Sequence, residues 1–257
     1  MWDPAQYGLF DDERSRAFFD LVSRVRAEAP AYVVDLGCGT GSLTATLAER
    51  WPPAQIEGVD SSAEMMVEAR DREAPPRLRF TVRDIREWRP DRPVDVLISN
   101  AALQWVPEHV ALLSNWIEAL SWGGWLAFQV PGNDRSPSHL LLGEVRNSAR
   151  WRDRVGTASN DPRVLEPEDY LDQLARLGCR VDAWETTYLH VLLGEDPVLE
   201  WVKGSVLRPV LRRLEADEQD EFLAEYAALL RAAYPSREFG TVLPFRRVFV
   251  VAQRRLD

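Results

Sequence analysis

Between residues 32 and 131 the chain alternates short, valine-rich apolar runs with stretches of helical period. This alternation limits the fold more than any other feature. The runs are YVVDLG, QIEGVD, LRFTVRD, VDVLISN and WLAFQV. Such short apolar runs, rich in β-branched residues, are the pattern of strands buried on both faces. Between them lie helical segments: Ser42 to Trp51, then SSAEMMVEAR with Ser61 and Glu64 spaced as a capping box, and Pro107 to Leu120. Strand–helix–strand repetition requires a parallel sheet with helices on both faces, because each crossover must pass over the sheet. A further helix is expected ahead of it, over 14–27.

After Pro131 the alternation stops. Residues 132–165 mix Pro, Asn and Asp with short helical pieces, and EPEDYLDQLARLG reads as a helix ended by Gly178. CRVDAWETTYLHVLL follows as a β-type run, residues 196–233 are helical with a break at Pro209, and RRVFVVAQRR closes as a strand. The expected organisation is one domain over 1–257, with helical segments at about 132–165 and 194–240 lying over one edge of the sheet.

The first apolar run leads into Gly37, Gly39 and Gly41, which precede a helix. A strand, a glycine-rich turn and a helix start form a cradle in which backbone N–H groups approach a ligand closely. A dinucleotide fingerprint would place its third glycine at position 42, where this chain has serine, and no GK[ST] follows to make a phosphate loop. Asp35 stands before the first glycine and Asp60 ends the next strand, where a carboxylate can accept both hydroxyls of a ribose. Asp84 and Asn100 end the third and fourth runs. In a parallel sheet these four polar ends open onto one crevice.

Composition narrows the partners. There are 31 basic and 41 acidic residues, a net charge of −10. That balance argues against a nucleic-acid surface and against docking on an anionic membrane. Cys38 and Cys179 form no CxxC pair, and histidines 109, 139 and 190 lack metal-ligand spacing, so neither a disulfide framework nor a metal is expected. The acidic start has no apolar core of a signal peptide, and no uncharged run is long enough to span a bilayer, so a cytoplasmic location is expected.

With VVDLGCGTGSLT, GVDSS, VRDIREW and ISNAALQW, residues 30–130 resemble the class I S-adenosylmethionine-dependent methyltransferases. A closer resemblance, to the trans-aconitate 2-methyltransferases of that class, runs over nearly the whole chain. It rests on WDPAQY, ERSR, GVDSSAEMM, SNAALQWVPEH, GCRVDAWETTYLH, EWVKGSVLRP and RRVFVVAQRR. The resemblance implies a Rossmann-like α/β fold with a mostly parallel sheet of seven strands, the last two near 179–190 and 246–254. It implies that Asp35, Gly37, Cys38, Gly39 and Gly41 hold the methionine part of S-adenosylmethionine. Asp60 and Ser61 would take the ribose, Met65 the adenine face, and Asp84 and Ile85 the adenine edge. Asn100 and Ala101 would flank the sulfonium, and Gln6 and Tyr7 would fold over the site. The implied product cofactor is S-adenosylhomocysteine.

The implied acceptor is a small tricarboxylate, esterified at one carboxylate. Carboxylic acids titrate near pH 4, so the nucleophile is already ionised at neutral pH and needs no general base. Alignment and exclusion of water would supply the rate. Binding such an acceptor needs local donors and cations. Candidates are Tyr188, His190, Arg208 and Arg14 or Arg16, with Gln104 and Trp105 lining the methyl pocket. The alternatives are a methyltransferase for another small acid, an acyl-carrier ester or a natural-product hydroxyl. Further alternatives are a nicotinamide-dependent oxidoreductase, a non-catalytic binding module and an RNA methyltransferase.

Overall fold

A computed structural model describes residues 11–157, 164–204 and 206–256. Eight strands form one sheet: β1 (Tyr32–Leu36), β2 (Gln55–Asp60), β3 (Leu78–Val82), β4 (Val94–Asn100), β5 (Leu120–Pro131), β6 (Cys179–Leu192), β7 (Ser236–Arg237) and β8 (Gly240–Arg254). The order is β3-β2-β1-β4-β5-β8-β6, and β7 pairs with β8 as a short hairpin. Strands β1 to β5 are mutually parallel, and β8 runs antiparallel between β5 and β6. The α/β class and the mostly parallel sheet agree with the sequence reading. The strand count differs by the two-residue β7, too short for any periodicity to mark.

The helices sort onto two faces. On one, α1 (Asp11–Ser23), α2 (Ser42–Arg50) and α3 (Ala63–Arg70) bury Phe18, Leu21, Leu47 and Met66 against Val33, Ile98, Ala127 and Phe249. On the other, α4 (His109–Ala119) and α7 (Pro167–Arg176) bury Trp116, Ile117, Tyr170 and Leu174 against Leu97, Phe128, Val248 and Val250. Odd positions of β8 meet the first group and even positions the second, as strand alternation demands.

A third apolar cluster stands apart. Short α5 (Pro137–Asn147) and α6 (Arg152–Val155) pack with α8 (Pro197–Lys203), α9 (Arg208–Leu211) and the long α10 (Ala216–Ala233). Trp151, Val202, Phe222 and Leu230 are its centre, and it reaches the sheet through Leu192 and Leu243. Two sequence-distant helical stretches thus make one body over the end of the β6–β8 pair. Among the described residues, no helix is long and apolar enough to cross a membrane.

Two local expectations are corrected. Ser62, not Ser61, caps α3: its Oγ accepts from Met65 N at 3.3 Å. Asp60 forces the shift, since its Oδ1 takes Ser62 N at 2.8 Å and holds the chain one residue longer before the helix starts. Strand β3 ends at Val82, so Asp84 lies two residues beyond the ladder rather than at its end.

Candidate functional site

The site grows from the point where the strand order reverses, between β1 and β4, at the carboxyl ends of the parallel strands. There Ser99 Oγ donates to the Leu36 carbonyl at 2.8 Å and ties the two strand ends together. Gly37 N and Cys38 N both donate to the Val59 carbonyl, at 2.7 and 3.1 Å, which lays the glycine loop across the end of β2.

All three loop glycines have left-handed φ values, but their surroundings differ. A side chain at Gly37 would meet Ala102 Cβ at 2.3 Å, and one at Gly41 would meet the Phe80 ring at 2.5 Å. A Cβ at Gly39 would meet nothing within 4 Å among the described residues. Gly37 and Gly41 therefore serve close packing, and Gly39 is the residue whose bare backbone faces open space. Phe80 also covers Gly58, where a Cβ would come within 2.5 Å of the ring. Phe80 and Gly58 were missed from sequence; a glycine inside a strand was the available signal. The Cys38 thiol lies 3.8 Å from the Gly39 carbonyl and 3.9 Å from Met66 Sδ. Burial, and then Asp35 and Asp60, hold its thiol protonated.

Asp60 is braced from both sides: Oδ2 accepts Gly39 N at 2.9 Å and Oδ1 accepts Ser62 N at 2.8 Å. The carboxylate thus locks the loop to the start of α3. Each oxygen keeps a second lone pair for a ligand hydroxyl. Asp35 is buried beneath α2, where Thr44 Oγ1 donates to Oδ2 at 2.6 Å. Its Oδ1 has no hydrogen-bond partner among the described residues. Burial pushes the Asp35 carboxyl up to about 7, with the Thr44 hydrogen bond opposing and Asp60 adding a smaller push.

Around this cradle, Met65 lies in the first turn of α3, 6% exposed, and belongs to none of the three apolar clusters, whereas Met66 is core. Ile85 is buried in the cluster beneath α4. The Asp84 carboxylate is taken by Arg86, whose Nε contacts both oxygens at 3.0 Å, and this holds it below the usual carboxylate range. Any reading of an adenine edge by Asp84 shares that carboxylate with Arg86. Ser61 is exposed next to Asp60. Asn100 ends β4, and Ala101 after it has φ +52°, a strained value for a residue with a Cβ. Gln104 Nε2 donates to the Ala101 carbonyl at 2.6 Å and fixes this turn. Its Oε1 is a second buried acceptor without a hydrogen-bond partner among the described residues. Trp105 closes the same 3-10 turn with its side chain 40% exposed.

The other wall is a polar row that crosses four strands on one face. Asn100 on β4 accepts from Gln129 Nε2 on β5 at 2.6 Å. Gln129 Oε1 accepts from Arg247 Nη1 on β8 at 3.2 Å. On β6, Tyr188 donates its hydroxyl to Asp20 of α1 at 2.6 Å, and the Arg16 guanidinium lies 5.1 Å from its ring centroid. Burial and then Asp20 keep the phenol protonated. His190, two residues on, stacks on Trp201 of α8 with centroids 4.9 Å apart. Tyr188, His190 and Arg16 are therefore gathered here. Arg208 is half-buried at the start of α9, among the helices over the sheet end. Gln129 and Arg247 were missed from sequence, where nothing distinguished them from ordinary strand residues. Gln6, Tyr7 and the Arg14 side chain lie outside the described residues.

The donor set fits a nucleoside-bearing, cationic ligand. Two buried acceptors await donors such as an ammonium group, a braced carboxylate faces the crevice, and Gly39 leaves room for close approach. A ligand made of phosphates would meet Asp35 and Asp60 instead of cations.

Comparison with known proteins agrees with this geometry. Residues 33–124 match a family model described as a methyltransferase domain. The fold is shared with YcgJ of Bacillus subtilis (TM-score 0.61, 12% identity, covering 95% of this chain and 100% of that one). It is also shared with Haemonchus contortus phosphoethanolamine N-methyltransferase 2, solved with S-adenosyl-L-methionine (TM-score 0.56, 16% identity, 95% and 53% covered). Much closer in sequence are proteins named trans-aconitate 2-methyltransferase. That of Streptomyces avermitilis is 52% identical (98% of this chain, 97% of the relative), and that of Rhodococcus jostii 51% (98% and 99%). Half-identity sustained across the sheet and the helices over its end, not only the nucleotide-binding core, means that the chain belongs to the trans-aconitate 2-methyltransferase family of class I methyltransferases.

Proposed function

We propose that this chain transfers the methyl group of S-adenosylmethionine to a carboxylate of trans-aconitate, giving a monomethyl ester. The observation that carries the reading is the joining of two half-sites on one sheet face: the Asp35–Gly39–Asp60 cradle and the polar row from Asn100 to His190. Bound there, S-adenosylmethionine supplies an electrophilic methyl on a sulfonium whose departure leaves a neutral thioether. Asp60 holds the ribose, the loop and Asp35 the amino-acid end, and Met65 one side of the base. Asn100, fixed by Gln129, and the strained Ala101 turn set the wall beside the reacting carbon. The chain need not remove a proton, because the acceptor carboxylate is ionised well below pH 7. Its contribution is alignment: holding the acceptor oxygen in line with the methyl and keeping water out, which is worth several kcal/mol in related chemistry. The buried, protonated Tyr188 and the stacked His190 belong to acceptor binding in this scheme.

The test is transfer of label from S-adenosylmethionine to trans-aconitate, cis-aconitate, citrate, isocitrate and malonate derivatives. A base-labile ester on trans-aconitate, formed well above the others, is expected. Cofactor binding with label on a different acid, or on none, overturns the acceptor and keeps the cradle.

A further inference from the structure

Residues 246 and 247 are adjacent arginines on β8 whose side chains lie on opposite faces of the sheet. Arg246 points to the α7 face, where Glu185 accepts from its Nε at 2.9 Å and Glu166 takes a further arm. It lines a cavity of about 880 Å³ between the starts of α5 and α7 and the end of α10. Its charge is matched by two carboxylates. Arg247 points to the other face, into the polar row of the site, and is 3% exposed.

We infer that Arg247 is the cation that seats a carboxylate of the acceptor, and that Gln129 positions it. The inference rests on the carboxylate acceptor proposed above. Gln129 is fully buried, and its two hydrogen bonds give its amide one orientation: Nε2 donates to Asn100 and Oε1 accepts from Arg247. The guanidinium plane is further confined by the Phe245 ring, 4.9 Å from Cζ. Tyr188 lies close enough for Arg247 to oppose the upward push on its phenol. A guanidinium is a rigid fork that matches a carboxylate with two parallel hydrogen bonds. Burying one costs several kcal/mol. Placing it at the carboxyl rim of the sheet, in line with Asn100, suits an anionic ligand that is desolvated on the same face.

The spacing assigns Arg247 a particular carboxylate. Strand β8 lies two strand spacings from β4, ~10 Å. The oxygen that takes the methyl sits by Asn100, so Arg247 holds a different carboxylate of the same molecule. This makes Arg247 a specificity residue for acceptors with at least two carboxylates.

The experiment is calorimetric binding of trans-aconitate and of a monocarboxylate (crotonate) to the S-adenosylhomocysteine complex, for wild type, Arg247→Gln, Arg247→Lys and Gln129→Leu. Loss of a charge-assisted pair corresponds to roughly 100-fold weaker trans-aconitate binding in Arg247→Gln. About tenfold of that is expected back in Arg247→Lys, which keeps the charge without the fork. Gln129→Leu falls between. S-adenosylhomocysteine affinity stays within about twofold in the two Arg247 variants, which touch only the acceptor end. The preference for trans-aconitate over crotonate collapses in Arg247→Gln. Trans-aconitate binding within threefold of wild type in Arg247→Gln overturns the role of Arg247 alone. Absence of polycarboxylate binding by the wild type overturns it together with the acceptor. Should Arg247→Gln fail to fold, Arg247→Lys and Gln129→Leu decide: unchanged acceptor affinity in both overturns the inference.

Discussion

Asp35 carries a pH dependence that can be read as stability. Its carboxyl is pushed from an ordinary 3.8 up to about 7 by burial. At about 1.4 kcal/mol per unit, the proton is worth on the order of 4 kcal/mol to the folded state. Below about pH 4 folded and unfolded chains both hold it. Between about 4 and 7 only the folded chain does, so the unfolding free energy falls as pH rises across that window and levels off above 7. Asp35→Asn keeps the shape and the Thr44 contact but cannot titrate. Urea unfolding of both proteins from pH 4.5 to 7.5 is the assay. The wild-type value minus the variant value should fall by a few kcal/mol across the window, with the variant no less stable at pH 7.5. His109 works in the opposite sense: burial lowers its pKa, so stability lost by protonating the unfolded chain returns as pH rises through about 6.5. Both proteins share that contribution, and subtraction removes it. Adding S-adenosylhomocysteine, whose ammonium favours the ionised carboxylate, should flatten the difference and release protons on binding. A variant with the same pH slope as wild type would refute the argument, because the proton would then reside elsewhere.

The glycine loop offers a paired comparison. Gly41→Ala forces both a left-handed φ and a 2.5 Å approach to Phe80, so it should lose more than the ~1–2 kcal/mol of the backbone cost and melt several degrees lower. Gly39→Ala meets no other side chain or backbone within 4 Å among the described residues. It should melt within a few degrees of wild type yet bind S-adenosylhomocysteine far more weakly; unchanged affinity would show that the open side of the loop is not the ligand side. On the opposite face, Tyr170→Phe strips the hydroxyl that meets His109 Nε2 at 2.7 Å and Leu165 N at 3.2 Å. Urea unfolding should show about 1–3 kcal/mol lost with cofactor affinity unchanged, and a neutral result would mean water replaces the hydroxyl.

What the sequence determined alone is the half of the molecule built from neighbours in the chain. The apolar runs mark β1 to β5 because parallel strands are buried on both faces and tolerate few polar residues. Asp35, Gly37, Gly39, Gly41 and Asp60 are legible together because strand, loop and next strand end are consecutive, so their spacing is already their geometry. The cap of α3 moved by one residue because the Asp60 carboxylate first claims the Ser62 amide. The other wall of the site was settled only by tertiary structure. Residues 100, 129 and 247 become one hydrogen-bonded row, with Tyr188 beside it, because β8 inserts antiparallel between β5 and β6. No local period encodes that insertion. The same strand decides the fates of its two arginines, since alternation sends Arg246 to a pair of glutamates and Arg247 to the crevice. The gathering of two distant helical stretches over the end of the β6–β8 pair is likewise a matter of buried area, with Trp151, Phe222 and Val202 each lacking a core until the others arrive.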